Sequence, residues 1–277
     1  MAELSGQTFI VTGGNTGIGL ATARALVARG GRVHLACRSE QKGRAAVATI
    51  AAATGGDRVA FLQLDLADLG SVRAAAQTFL SSGEPLHVLV NNAGVAGRRG
   101  LTKDGFELLF GVNHLGHFAL TMALLDSLTR SEGRIVNVAS DAHFQAPGVD
   151  FDRLRRPTRT IAAMREYAVS KLCNVLFTQE LARRLAGTGV TAYALHPGVV
   201  ASDIWRRVPW PVRGFITGRM LTVEDGAQTS LYCATAPELS QVSGRYYDNC
   251  AEQAPSQVAT PDLGARLWQR SVDWTSA

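Results

Sequence analysis

Residues 12–19 read Thr-Gly-Gly-Asn-Thr-Gly-Ile-Gly, between a short apolar run at 8–11 and a segment of helical spacing. In that segment Ile18, Ala21, Ala25, Leu26 and Val27 are available to pack. Strand, glycine-rich turn, helix is the context that gives such a motif meaning. Gly13, Gly17 and Gly19 let the backbone turn tightly and approach a ligand. The helix start then offers free N–H groups and a positive dipole end to a pyrophosphate. The spacing is G-x-x-x-G-x-G, so the general dinucleotide fingerprint is not matched literally.

The same alternation continues along the chain. Strands are expected at 32–37, 59–64, 86–90, 134–139 and 190–195, with an edge strand at 244–247. Helices are expected at 41–53, from about residue 69, within 105–128, and at 166–186, 223–234 and 261–274. This pattern predicts one Rossmann-like, doubly wound α/β domain over residues 1–277. It should hold a parallel sheet of about seven strands with helices on both faces. No internal repeat or second domain is visible.

Composition narrows the class. The chain has 277 residues, 46% of them hydrophobic, enough for one large core. Cys37, Cys173, Cys233 and Cys250 lie far apart with no C-x-x-C pair, so neither a zinc site nor a disulfide framework is suggested. The net charge is +5, with arginines clustered at Arg98–Arg99, at Arg153, Arg155, Arg156 and Arg159, and at Arg206–Arg207. No basic stripe interleaved with aromatics appears, which argues against nucleic acid. The first residues are polar, and no long uninterrupted apolar run is evident. A cytoplasmic protein without a transmembrane segment is expected.

Several candidate residues fall where strands end, the place where open α/β sheets bind ligands. Cys37-Arg38 closes the second strand with no acid, and an Arg there can fork onto a 2′-phosphate. That favours NADP(H) over NAD. Asp65, followed by Leu66, could accept from an adenine amino group or cap the next helix, and Asp68 is the better cap. Asn91-Asn92-Ala93-Gly94 follows the fourth strand, where Asn side chains can tie neighbouring strand ends together. Ser140 lies just past the fifth strand, and His196-Pro197-Gly198 follows the sixth. Asn113 interrupts an apolar helical face and marks a local bend. His114 and His117 lack a third ligand and read as packed residues. Tyr167 and Lys171 are four apart, so they share a helix face. A nearby ammonium lowers a phenol pKa, and a tyrosine so tuned can exchange a proton with a substrate oxygen. Residues 141–162 read as a polar, Arg-rich loop beside the site, and residues 201–222 as an amphipathic substrate lid.

TGGNTGIG, Asp65, NNAG, Asn113, Ser140, Tyr167-Ala-Val-Ser-Lys171 and Pro197-Gly198, in this order, resemble the short-chain dehydrogenases/reductases. VNHLGHF at 112–118, LFTQELARRL at 176–185 and GAQTSLYCA at 226–234 are similar to its retinol dehydrogenase-like branch. The resemblance implies hydride transfer between NADP(H) and a carbonyl or alcohol. It implies Tyr167 as acid/base, and Lys171 lowering the Tyr167 pKa and holding the nicotinamide ribose. Ser140 would bind the substrate oxygen, and Asn113 a water in a proton relay. Gly13, Asn15, Gly17, Ile18 and Gly19 would cradle the pyrophosphate, and Arg38 the 2′-phosphate. Asp65 and Leu66 would border the adenine, Asn91, Ala93 and Gly94 the adenosine side, and Pro197, Gly198 and Val200 the nicotinamide. A homodimer or homotetramer fits the family. Two other readings stay open: a non-catalytic NADP(H)-binding sensor or interaction protein, and a C=C reductase resembling protochlorophyllide reductase.

Overall fold

The structure is a computed structural model and describes residues 4–200 and 221–276. Its strands are β1 (Thr8–Thr12), β2 (Arg32–Cys37), β3 (Val59–Gln63), β4 (Val88–Asn91), β5 (Arg134–Val138), β6 (Thr191–His196), β7 (Arg245–Asp248) and β8 (Ala251–Gln253). They form a sheet in the order β3-β2-β1-β4-β5-β6-β7-β8. All neighbours run parallel except β7 and β8. The expected sheet of about seven strands is therefore extended by one antiparallel edge strand. β8 is short and exposed along its length, so it carries no apolar alternation that a sequence reading could find.

The helices are α1 (Gly17–Ala28), α2 (Glu40–Thr54), α3 (Leu69–Ser81), α4 (Leu108–Phe110), α5 (Gly116–Arg130), α6 (Met164–Arg184), α7 (Val223–Thr235) and α8 (Pro261–Thr275). Five of them start on side-chain caps, the single turn α4 on Glu107, which accepts from Phe110 N–H. Ser39 accepts from Lys42 N–H, and Asp68 from Gly70 and Ser71. Thr222 closes a capping box with Asp225, and Thr260 accepts from Leu263. α1 differs, because Thr16 precedes it without a side-chain cap.

Successive strand residues feed opposite layers, as period-two geometry requires. Phe9, Val11, Leu35, Val90, Val136 and Tyr193 pack with Leu26, Ile50 and Cys233 from α1, α2 and α7. Ile10, Leu89, Ile135 and Ala192 pack with Phe79, Phe118, Leu124, Phe177 and Trp268 from α3, α5, α6 and α8. The expected helix within 105–128 is instead a composite. The single turn α4 runs into a π-helical turn, Gly111–Leu115, and then into α5. The stretch Leu108–Arg130 is long and apolar enough to cross a membrane, but most of its apolar window is buried within the domain. His114 is buried among aromatic rings there. Its ring lies 5.3 Å from Phe110 and 5.6 Å from Phe177.

Strand order reverses between β1 and β4, which opens a crevice at their carboxyl ends. Thr12 closes the joint. Its Oγ1 accepts N–H groups from Asn92 and Ala93, both at 2.9 Å, and donates toward His117 Nε2 at 2.8 Å. Asn92 Nδ2 donates back to the Thr12 carbonyl at 2.8 Å. The two cofactor-side strand ends are thus one hydrogen-bonded unit.

Candidate active site

The glycine turn is shaped by contact on one side and space on the other. A Cβ on Gly13, which has φ +66°, would come within 3.0 Å of Ala93 Cα. A Cβ on Gly19 would reach 2.5 Å from Asn92 Nδ2 and 2.6 Å from the Gly13 carbonyl. Gly17, at φ +55°, has nothing within 4 Å of that position, so its backbone borders open space. The uncapped start of α1 faces the same turn. Its orphan N–H groups are the donors that an anion would satisfy. These features fit a dinucleotide pyrophosphate at Gly13–Gly19.

The other strand-end residues take up the remaining border. Arg38 is exposed just past β2. β3 ends at Gln63, so Asp65 lies beyond it, where its Oδ1 accepts from Ala67 N–H at 3.0 Å. Leu66 is buried against α5, with its carbonyl 2.6 Å from a Cβ placed on Gly116. Asn91 is turned inward, and Nδ2 donates to Thr121 Oγ1 and Asn137 Oδ1. That side chain joins β4, β5 and α5. Beyond β6, Pro197 and Val200 meet Ile18 around Gly226 at the start of α7. Asn15 is half-buried in the turn. Most of the expected lid lies outside the described residues. Within them, Leu221 N–H donates to the Val199 carbonyl at 3.0 Å, and Thr222 caps α7.

Ser140, Tyr167, Lys171 and Asn113 converge beside Gly94. Ser140 follows β5, where its Oγ donates to Asp141 Oδ1 at 2.9 Å and accepts from Ala142 N–H at 3.2 Å. Lys171 Nζ donates to the Val138 carbonyl at 2.8 Å and lies 5.6 Å from the Tyr167 ring centroid. A Cβ on Gly94 would sit 3.6 Å from Lys171 Nζ and 3.5 Å from Asn113 Oδ1, so this wall stays low. Asn113 lies in the π turn and is fully buried. Its side chain accepts from Val95 N–H at 2.8 Å and donates to the Val95 carbonyl and to Ser170 Oγ. Its carbonyl accepts from His117 Nδ1 at 3.0 Å. With Nδ1–H so used, Nε2 is free to accept from Thr12. Burial pushes His117 down to about 4, consistent with that neutral ring.

Electrostatics correct one expectation. Burial raises the Tyr167 pKa above the ordinary phenol value, Ser140 opposes by hydrogen bonding, and the charge of Asp141 raises it further. The Lys171 ammonium is spent on Val138 and does not reverse that balance. Burial lowers Lys171 itself to about 8. Tyr167 is therefore a phenol at neutral pH.

Three further residues support the site: Thr12 and His143, which sequence reasoning did not single out, and His117, which it read as a packed residue. Thr12 and His117 lock the crevice, as described. His143 lies in the 3₁₀ turn Asp141–Gln145, where Nδ1 donates to the Ser140 carbonyl at 2.6 Å. Its Nε2 accepts from Ser256 N–H at 3.1 Å. The sequence signal for Thr12 was its place at the head of the glycine turn. His143 carried none, because its partner is 113 residues away. Among the described residues, no cluster of three or more His, Cys, Asp or Glu could hold a metal.

A parallel sheet with a glycine-lined crevice at its switch point and a Ser–Tyr–Lys group beside it defines an α/β dinucleotide-binding oxidoreductase. The chain belongs to the short chain dehydrogenase family, whose model matches residues 7–151. It is 44% identical over 279 residues to retinol dehydrogenase 12 of Mus musculus, covering 98% of this chain and 87% of that protein. It is 45% identical over 279 residues to dehydrogenase/reductase SDR family member 13 of Homo sapiens, covering 98% of this chain and 74% of that one. Among solved structures, an uncharacterized protein from Mycobacterium paratuberculosis superposes with a TM-score of 0.81 at 34% identity, over 100% of this chain and 96% of the other. A 3-ketoacyl-(acyl-carrier-protein) reductase from Brucella melitensis, complexed with NADH, shares the fold at 23% identity with a TM-score of 0.69, over 93% and 100% of the two chains.

Proposed function

We propose that this protein is an NADP(H)-dependent reductase of carbonyl compounds, with Tyr167 as the proton donor. The observation that carries the proposal is buried Lys171, anchored on the Val138 carbonyl at the end of β5 and 5.6 Å from the Tyr167 ring, at the crevice where strand order reverses. The nicotinamide, when bound, supplies or accepts the hydride. Gly13, Asn15, Gly17, Ile18 and Gly19 would hold the pyrophosphate, and Asp65, Leu66, Asn91, Ala93 and Gly94 would border the adenosine. Pro197, Gly198 and Val200 would border the nicotinamide. Exposed Arg38, with no acid beside it, supports a 2′-phosphate and hence NADP(H).

The chain's own chemistry follows from the protonation states. Tyr167 carries its proton at neutral pH because burial disfavours the phenolate. It can therefore donate to a carbonyl oxygen as negative charge develops there. Ser140 Oγ, with its second partner on that oxygen, orients it. Lys171 holds a positive charge below about pH 8, which favours the phenolate left behind and a ribose hydroxyl. Asn113 fixes the 94–95 backbone against α6 through Val95 and Ser170, which keeps the low wall at Gly94 in place. Oxidation of an alcohol would need Tyr167 deprotonated, so its rate is expected to rise with pH.

Retinol dehydrogenase relatives make retinal a natural member of the substrate panel. The exposed apolar side chains Phe144, Met164 and Val199, on segments flanking Ser140, Tyr167 and Pro197, support an apolar aldehyde or ketone. The test follows the reduced-nicotinamide absorbance with NADPH and NADH, against aldehydes, ketones, quinones and retinal. Tyr167→Phe should abolish turnover and leave NADPH binding intact. Wild-type kcat in Tyr167→Phe would overturn the mechanism.

A further inference from the structure

The arginines clustered near residue 155 meet a second set on the last helix. On α8, Arg266, Arg270 and Trp274 recur at i, i+4 spacing and share one face. Opposite them is the 3₁₀ turn Arg153–Arg155 with the residues on either side. Between the two lies a cavity of about 370 Å³, lined by Phe151, Asp152, Arg155, Arg156, Arg270 and Trp274. That volume falls within the roughly 300–1,000 Å³ of small-molecule sites. None of the residues assigned to the crevice lines it.

The walls are tied to the core. The Leu154 carbonyl accepts from Glu107 N–H at 2.8 Å, and the Leu154 side chain is buried. The Trp274 ring packs on Phe106 and Phe110, at centroid distances of 5.4 and 5.8 Å. Arg155 lies over the Phe106 ring, with Cζ 4.3 Å from its centroid and 5.9 Å from that of Trp274. Arg266 lies over Phe151 at 5.3 Å. A guanidinium held over a ring loses little further freedom on binding and keeps its N–H donors for other partners.

Those donors are not used within the protein. Among the described residues, Arg155, Arg156, Arg266 and Arg270 form no ion pair and no side-chain hydrogen bond. Two neighbouring acids are engaged elsewhere, Asp150 with Arg153 at 3.3 Å and Asp273 with Gln269. In the lining, Asp152 alone stands against the guanidiniums of Arg155, Arg156 and Arg270. Like charges gathered on one cavity repel, and a bound anion relieves that repulsion. Several guanidinium forks match an anion with several oxygens, and Phe151 and Trp274 offer apolar surface to the group that carries it.

We propose that the cavity between the Arg153–Arg155 turn and α8 is a second anion site, which takes the phosphate monoester group of an organic phosphate. It lies outside the crevice and does not depend on the reductase reading. A free phosphate ester and a phospholipid headgroup present the same chemistry, and the test separates them.

The full chain is titrated with phenyl phosphate and followed by tryptophan fluorescence, and the same titration of Trp274→Phe is subtracted. A saturable change is expected. Arg156→Ala and Arg270→Ala should each weaken it roughly tenfold to a hundredfold, the loss of one charge-assisted contact. Both side chains are exposed, so the two variants should keep the parent Tm. Arg38→Asp, which removes the proposed cofactor phosphate contact, should leave the response unchanged. Co-sedimentation with phosphatidylcholine vesicles, with and without phosphatidic acid, is run beside it. Capture by phosphatidic acid that is lost in both arginine variants, without a response to phenyl phosphate, would assign the phosphate to a lipid headgroup. No saturable response in either assay, or a response that neither arginine variant weakens, would overturn the proposal.

Discussion

His143→Phe should destabilise the protein through hydrogen bonds alone, because the ring is kept. The His143 ring is fully buried, with its centroid 4.0 Å from Phe144 and 4.7 Å from Tyr246. Phenylalanine fills the same space, so the cavity term is small. The polar losses are two. The Ser140 carbonyl loses its Nδ1–H partner, and the Ser256 N–H is left buried with no acceptor. An unsatisfied buried donor costs about 1–3 kcal/mol, and the lost bond about 1 kcal/mol more. The sum is about 2–4 kcal/mol. At about 2–4 °C per kcal/mol for a chain of this size, Tm should fall by roughly 4–16 °C. Thermal unfolding followed by circular dichroism measures it. His143→Asn, which keeps a donor near the Nδ1 position, should recover part of the loss. A Phe variant melting within about 1 °C of the parent would refute the reasoning. The sign of the pH dependence is fixed too. Burial holds His143 below the ordinary histidine value, so the unfolded chain binds its proton first. The stability it contributes is present above that ordinary value and is lost as pH falls below it. The gap between parent and variant should therefore shrink on acidification.

Arg38→Asp should weaken NADPH binding by about 2 kcal/mol, a factor of roughly 30 in Kd, and spare NADH. Equal affinity of the parent for both cofactors, by fluorescence titration, would refute the Arg38 assignment. Gly19→Ala would drive its Cβ to 2.5 Å from Asn92 Nδ2 and 2.6 Å from the Gly13 carbonyl. It should cost about 1–3 kcal/mol and most dinucleotide affinity, and a parent-like Tm and Kd would show the turn to be looser than drawn. His114 and His117, pushed by burial to about 3 and about 4, make folding sensitive to acid in the same direction as His143. Their folded values lie below the unfolded value near 6.5, so each supports stability above that pH and loses its contribution as pH falls toward 4. Urea midpoints at pH 7 and pH 5 should differ clearly, and a flat profile would contradict buried neutral rings.

What the sequence made legible was whatever depends on local order. Apolar runs, the glycine turn and the cap at Asp68 located the parallel strands and most helices within a residue or two. Asp68 as the cap of α3 and the tie between β1 and β4 through an Asn were both readable, though the tying side chain is Asn92 and its neighbour Asn91 points inward. Properties set by distant partners were not. Spacing alone made Lys171 a neighbour of Tyr167 but could not reveal that the Val138 carbonyl, 33 residues earlier, engages its ammonium. Burial of Tyr167, which decides the direction of its pKa, depends on the packing of several elements and has no signature in Y-x-x-x-K. The break at Asn113 was legible as a polar residue on an apolar face, but its π character was not.

That break has a consequence for how the chain can change. A π turn holds one residue more than the α turn it replaces, so α4 and α5 are out of phase with each other. Phe106 and Phe110, before the turn, stack on Trp274, while Phe118, after it, stacks on Trp268. Removing one residue between 111 and 115 would restore regular winding and rotate everything on one side by about 100°. Either the aromatic wall or Asn113 would then lose its partners. Insertions and deletions, which surface loops absorb readily, are therefore barred from this short stretch.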